Sequence, residues 1–138
     1  MMLFEYLVGN TDLSISGQHN VKLVQNQIGT MYPVPYDFDF SGVVHTSYAT
    51  PEPILRLGTV RERLYRGACR SQADWEPVVA AFQSKRAQVE AVYDSIPGLN
   101  EGYKKDAVKY LEAFFKTFEK PDAIKKALID RCVKAGVM

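Results

Sequence analysis

The sequence predicts an α+β fold that is mostly helical, in which a short β-hairpin (about residues 21–40) precedes a bundle of four helices. Residues 21–40 alternate like short strands and carry turn residues between them. After residue 50, apolar residues recur at helical spacing and capping residues precede them. With 138 residues the chain is long enough for one core. We therefore predict a single domain, 1–138, with a loop and hairpin region (1–50) and a helical region (51–138).

The chain begins with a predicted helix end and a polar loop. The apolar residues 3–8 are expected to finish a helix, with Gly9 or Asn10 as its stop. Residues 10–20 are rich in Asn, Asp, Ser and Gly, whose side chains or backbone freedom favour turns over a ladder. This loop is the first place where polar side chains are concentrated.

The hairpin is predicted from alternation and from its turn. Residues 21–24 alternate as a strand, residues 25–30 form a turn and residues 31–40 return. Pro33 and Pro35 cannot donate ladder hydrogen bonds, so the returning strand is expected at an edge.

Four amphipathic helices are predicted after residue 50. The first is expected over residues 59–66, because Thr59 to Glu62 matches a capping box. The second is expected to begin at Ser71 and to stop at the Pro-Gly pair that follows Ile96. The others are expected to begin at Asn100 and near Pro121. We expect these helices to form the scaffold.

Composition excludes several classes of partner. The net charge of +1 does not favour nucleic acid or an anionic membrane surface. No apolar run is long enough for a membrane span, and the first eight residues do not form a signal peptide. Cys69 and Cys132 lack metal-ligand spacing, and free thiols are the favoured interpretation, although a disulfide cannot be decided from sequence. We therefore expect a cytoplasmic protein.

The strongest chemical signal is an acidic pair within residues 33–42. Asp37 and Asp39 lie two positions apart, so an extended backbone would direct both carboxylates to one face. Two close carboxylates repel each other unless a cation lies between them, and their oxygens suit Mg²⁺ or Mn²⁺. The alternative is a tight turn in which both carboxylates bond backbone amides or pair with arginines.

A second candidate site lies in the polar loop. Asp12 could accept a proton from a hydroxyl nucleophile, and Asn20 could offer its amide oxygen to a metal. The alternative is a turn in which Asn10, Asp12 and Asn20 only satisfy backbone donors. His19 adjoins Asn20, but a single imidazole makes a weak case for a transition metal.

A group of arginines is the third candidate. Such a group could bind phosphate, with three of its members on one predicted helical face, but pairing with acids is favoured. Asp37 and Asp39 are the natural partners. The group comprises Arg56, Arg61, Arg63, Arg66 and Arg70.

The order of these parts resembles the C-terminal lobe of the protein-kinase-like fold, above all its atypical HipA-like and CotH-like branches. Residues 10–12 resemble the catalytic loop and Asn20 its metal-binding asparagine. Residues 36–39 resemble the metal-binding segment that corresponds to Asp-Phe-Gly in ordinary kinases. The chain is also similar to a group of bacterial proteins of unknown function with Gly-Asn-Thr-Asp and Pro-Tyr-Asp-Phe-Asp.

The resemblance implies a role for each candidate. Asp12 would orient or deprotonate an acceptor hydroxyl, while Asn20 and Asp37 would hold Mg²⁺ or Mn²⁺ against nucleotide phosphates. Asp39 would be a second ligand or an anchor. Seven residues separate Asp12 from Asn20 where kinases usually have four, so the loop is expected to bulge.

The resemblance covers only one lobe, so we expect the C-terminal part of a longer protein. ATP binding and phosphotransfer are expected only where an N-lobe is supplied, and none from the isolated chain. The surface around Met1, Leu3 and Phe4 is expected to be apolar and to favour a homodimer. The rival interpretation is a non-catalytic helical binding or structural domain whose acidic hairpin braces the arginines.

Overall fold

The computed structural model describes residues 1–134, which form two compact units. The first comprises Met1–Gly67, and the second begins at Ala68. One antiparallel hairpin and several helices confirm the predicted α+β, mostly helical class. The single domain with a division near residue 50 stays a prediction.

The first unit opens with helix α1, Met2–Val8. Gly9 ends it in the left-handed conformation, at φ 70°, where a residue without a Cβ is not strained. Its predicted stop is therefore confirmed. Leu3 and Leu7 bury one side of the helix, and Glu5 is buried with them.

The apolar surface expected around the start of α1 is only partly present. Leu3 is 3% exposed and belongs to the core, so the expectation is wrong for this residue. Phe4 is 38% exposed, and its ring packs edge-on against Phe38 at a centroid distance of 5.9 Å. The homodimer stays a prediction.

The hairpin consists of strands β1, Val21–Gln25, and β2, Met31–Pro35. They pair in antiparallel register with Val21 opposite Pro35. Because these are the two strands of one sheet, β2 is an edge, as its prolines require. Most of the hairpin side chains are exposed, so it contributes little apolar burial.

The helix predicted over residues 59–66 is wrong, because this segment forms a turn followed by irregular chain. The capping bonds themselves exist: Glu62 Oε1 accepts from the Thr59 amide at 3.2 Å, and Thr59 Oγ1 accepts from the Arg61 amide at 3.2 Å. They close a turn that does not propagate. The arginines that follow bond to distant carbonyls instead.

The second unit is built from helices. Ser71 and Asp74 form a capping box at the start of α2 (Gln72–Gln83), and Asn100 caps α4 (Glu101–Phe118) through its side chain, so both predicted starts are confirmed. The end predicted for the first of these helices, at the Pro-Gly pair after Ile96, is wrong: α2 ends at Gln83 because the chain leaves helical geometry at Lys85, where φ is −100° and ψ is 0°. Within residues 1–134 no helix combines the length and apolar content needed to cross a membrane. The elements are α2 (Gln72–Gln83), α3 (Arg86–Ala91), a 3₁₀ turn (Val92–Ser95), α4 (Glu101–Phe118) and a π-helical turn (Lys125–Ile129); a further 3₁₀ turn, Pro53–Leu55, lies in the first unit.

Aromatic packing on α4 forms the core of the second unit. The centroid of the Phe114 ring lies 4.9 Å from the ring centroid of Phe118 and 5.2 Å from that of Phe115. The ring centroid of Phe82 lies 6.1 Å away. Phe115 and Leu128 are fully buried. Aromatic pairs of this kind add stability beyond the area that they bury.

The expectation of free thiols is wrong. Cys69 and Cys132 form a disulfide that spans 63 positions of the second unit. Spacing alone could not reveal it, because the pairing depends on where the end of the helical region returns. The cysteines therefore no longer favour a reducing compartment.

Candidate functional site

The hairpin register brings the two candidate loops together. Continuing the ladder beyond Val21 and Pro35, the Tyr36 amide donates to the Asn20 carbonyl at 3.0 Å. Asn20 therefore lies across from the residue that precedes Asp37. Sequence-distant parts of the candidate site are neighbours because two strands pair.

A second set of backbone bonds ties the acidic loop to the end of α1. The Gly42 amide donates to the Gly9 carbonyl, and the Val43 amide donates to the Val8 carbonyl, both at 3.0 Å. Ser41 is fully buried, and its hydroxyl donates to the Phe38 carbonyl at 2.6 Å. The loop that carries the aspartates is thus held beside the loop that carries Asp12.

Asp12 and Asn20 are in direct contact. Asn20 Nδ2 donates to the Asp12 carbonyl at 2.9 Å and to its Oδ2 at 3.0 Å. The residues between them form a small turn closed by a β-bridge between Ser14 and His19. The correspondence of this loop to a kinase catalytic loop stays a prediction. His19 Nε2 lies 3.0 Å from Asp12 Oδ1.

Two buried side chains, Asn10 and Glu5, are connected to the Asp12 backbone by hydrogen bonds. Asn10 Oδ1 accepts from the Asp12 amide at 3.0 Å, and Asn10 Nδ2 donates to Glu5 Oε2 at 3.0 Å. Glu5 is 1% exposed, and its Oε1 has no hydrogen-bond partner among residues 1–134. Burial raises the pKa of the Glu5 carboxyl above 4.5, and the bond from Asn10 opposes this shift only in part. Asn10 thus accepts from a backbone amide, as the turn interpretation expects, but it also bonds the buried Glu5 carboxylate. Asn20 donates to both the carbonyl and the carboxylate of Asp12.

Asp37 and Asp39 form an acidic pair. The pKa of Asp37 is raised above 3.8, first by a side-chain hydrogen bond with Asp39 and next by the charge of Asp39. Desolvation and repulsion from Asp12 add to the shift. An arginine partner would lower this pKa, so the direction argues against an ion pair at Asp37. The three carboxylates therefore act electrostatically on one another.

Asp39 is held in place by two hydroxyl groups. Tyr48 Oη donates to Asp39 Oδ2 at 3.0 Å, and Thr46 Oγ1 donates to the Asp39 carbonyl at 3.1 Å. The Tyr48 ring also packs against Phe40 at 5.9 Å. Asp37 is exposed and sits at φ 58°, a left-handed conformation that Asp and Asn tolerate better than most residues.

Three of the predicted arginines have a structural role. A guanidinium group has several N–H donors in one plane, so it can bond backbone carbonyls of neighbouring loops and hold them together. The structural interpretation was favoured, and the bonds found here are structural, but their acceptors are backbone carbonyls and not the expected acids. Because residues 59–66 do not form a helix, the predicted helical face for phosphate does not form. The bonds run from Arg61 to the Gly42 carbonyl, from Arg63 to the Leu7 carbonyl, and from Arg66 to the Thr11 and Leu13 carbonyls.

The donor set determines which cation the site suits. Among residues 1–134 no group of three or more His, Cys, Asp or Glu side chains is arranged to hold a metal ion. Mg²⁺, however, is commonly held by one or two carboxylates, with waters and substrate phosphates completing the octahedron. Asp37, Asp39 and the amide oxygen of Asn20 are hard oxygen donors that fit such a partial site.

Sequence reasoning missed two supporting residues. Tyr48 follows Asp39 by nine positions, and nothing in the local pattern indicates that it returns to the carboxylate. Glu5 did give a signal, because it is the one charged residue in the apolar segment 1–8.

Comparison with known proteins adds no relative. No family model, no curated protein and no solved structure matches the chain.

Proposed function

We propose that the first unit carries a divalent-cation and nucleotide-phosphate site of the atypical kinase-like type. The observation that carries this proposal is the convergence of two loops. Asn20 bonds to Asp12, and the Asp37–Asp39 pair lies close enough to Asp12 for its charge to raise the pKa of Asp37. Two carboxylates that repel each other form a site that a cation would stabilise.

The chemistry of this site would be positioning and charge neutralisation. Asn20 Oδ1 and the Asp37 carboxylate would hold Mg²⁺ or Mn²⁺, which would offset the negative charge of nucleotide phosphates. The Asp39 carboxylate, held by Tyr48, would be a second ligand or an anchor. ATP is proposed as the donor only for a protein in which an N-lobe completes the nucleotide cleft.

The phosphotransfer step would run through Asp12. The acceptor oxygen would form a bond to the terminal phosphorus while the bond from that phosphorus to the ADP oxygen breaks. The acceptor hydroxyl proton would pass to Asp12. Asn10 and Asn20 would keep the Asp12 carboxylate in place during this exchange.

Metal titration tests the proposal on the 138-residue chain. Mg²⁺ or Mn²⁺ should raise the free energy of unfolding by about 2.7 kcal/mol at roughly a hundred times the Kd, because the ion binds only the folded state. Chemical denaturation at constant ionic strength measures this gain. Asp37→Asn should abolish it.

Asp122→Asn is the matched control. Asp122 is also exposed and also sits at φ 58°, but it lies in the second unit. This variant should keep the full response to Mg²⁺. The proposal is wrong if Mg²⁺ and Mn²⁺ leave the wild type unchanged, or if both variants respond alike. The rival structural interpretation further predicts that Asp37→Asn destabilises the metal-free chain.

A further inference from the structure

A cavity of about 230 Å³ opens beside Asp12 within the first unit. Phe40, Pro51, Pro53 and Val60 form its apolar lining. In the described part of the chain, neither Asn20 nor Asp37 belongs to the lining. The cavity is therefore distinct from the proposed metal ligands Asn20 and Asp37.

The polar lining of the cavity is acidic and hydroxylic. Asp12 and Glu52 carry carboxylates, Thr11 and Thr50 carry hydroxyl groups, and among residues 1–134 no Lys, Arg or His belongs to the lining. Such a lining repels phosphates and carboxylates and attracts an ammonium group. The apolar lining suits a short aliphatic stem between polar ends.

Size restricts the occupant further. Pockets that enclose drug-sized ligands have volumes of roughly 300–1,000 Å³, and this cavity is smaller. A nucleotide is both too large and too anionic for it. The cavity suits a small cation.

Asp12 keeps hydrogen-bonding capacity toward the cavity. Its Oδ1 contacts His19 and its Oδ2 accepts from Asn20. A carboxylate offers about four acceptor positions, so these two contacts leave room for an acceptor hydroxyl. Its side chain is 25% exposed, which makes it reachable.

We propose that this cavity binds the acceptor of the transfer reaction, and that the acceptor is a small amino alcohol. Its hydroxyl would lie at Asp12 and its ammonium group at Glu52. Phosphorylation would convert the alcohol to its phosphate ester, with ADP leaving and the hydroxyl proton passing to Asp12. The assignment as acceptor rests on the proposed function, because it uses Asp12 as the base.

Binding can be tested without metal or nucleotide, on the 138-residue chain. Aminopentanol, pentanediol and hydroxypentanoate share a carbon chain and differ in charge. Methyl NMR signals of Thr11, Thr50 and Val60 should shift saturably with aminopentanol, with a Kd on the order of millimolar for so small a ligand. The diol should bind about fivefold more weakly, and the anion should not bind.

Glu52→Gln should weaken aminopentanol binding about fivefold, to the level of the diol. Glu76→Gln changes an exposed glutamate on α2 in the same way and should have no effect. The inference is overturned if aminopentanol causes no saturable shift, if the diol binds equally well, or if Glu52→Gln changes nothing.

The same samples separate this inference from the proposed function. Mg²⁺ stabilisation without aminopentanol binding contradicts the cavity inference alone. Aminopentanol binding without Mg²⁺ stabilisation contradicts the metal and phosphate site alone.

Discussion

The two units of this chain are stabilised by different means. The second unit has a core of apolar and aromatic side chains around α4, closed by a disulfide. The first unit buries polar side chains beside its apolar residues. In the described part of the chain all buried polar or charged residues belong to this unit: Glu5, Asn10, Thr11, Asn20 and Ser41.

This difference shows that the first unit buries polar groups, at a cost in stability, and that their hydrogen bonds fix the positions of its loops. Burying a polar group costs free energy unless it is hydrogen-bonded, and a buried network contributes direction more than stability. In the first unit these bonds hold the Asp12 loop against the loop of Asp37 and Asp39. Among its described residues, the second unit buries mainly apolar and aromatic side chains.

The largest effect should come from opening the disulfide of the second unit. Replacing Cys69 and Cys132 together by Ser should lower the free energy of unfolding by about 4 kcal/mol, since a closed loop of this length restricts the unfolded chain. Trp75 is the single tryptophan and is buried in this unit, so its fluorescence reports the transition. Reduction of the wild type should cause the same loss. An unchanged transition would contradict the role assigned to the bridge.

The next effect should come from the first unit. In Arg66 one guanidinium nitrogen, Nη1, donates to both the Thr11 and the Leu13 carbonyls, and Arg66→Lys replaces the planar guanidinium by an ammonium group on a shorter stem. The loss should be about 2 kcal/mol, the scale of a charged hydrogen bond. Hydrogen exchange at the Asp12 and Leu13 amides should accelerate. Arg70→Lys, at an exposed position, is the control and should change the free energy of unfolding little. If both variants lose the same free energy of unfolding, the stabilising role assigned to Arg66 is wrong.

A smaller effect, with a defined sign, should come from Glu5. Because its pKa is raised in the folded state, its contribution to stability is complete below a pH of about 4.5 and is lost as the pH rises through the raised value. Glu5→Gln keeps an acceptor for Asn10 and cannot ionise, so it should flatten this dependence. Urea denaturation from pH 4 to 8 measures it. Parallel curves for the two proteins would show that Glu5 does not titrate in this way.

The smallest effect should come from the exposed acidic pair. The raised pKa of Asp37 means that stability falls as the pH rises through that value, because the ionised pair repels. Asp37→Asn should therefore make the metal-free chain slightly more stable at neutral pH. Thermal unfolding without metal measures this change. A clear loss of stability would favour the structural interpretation of the hairpin.

Local signals predicted much of the fold, whereas the membership of the candidate site stays a prediction. Gly9 ends α1, Ser71 and Asn100 begin α2 and α4, and alternation places the hairpin, all through interactions within a few residues. The same logic failed at residues 59–66. There the capping bonds are present, but guanidinium groups downstream bond to carbonyls far along the chain and the helix does not extend.

By itself, the sequence determined the end of α1, the starts of α2 and α4, the hairpin and the presence of acids at Asp12, Asp37 and Asp39, because each depends on neighbours along the chain. Only the tertiary structure decided that Asn20 bonds to Asp12, that Arg63 bonds a carbonyl 56 positions away, and that the two cysteines join. The physical reason is range. Such contacts form only when distant segments meet, and local spacing carries no information about that meeting.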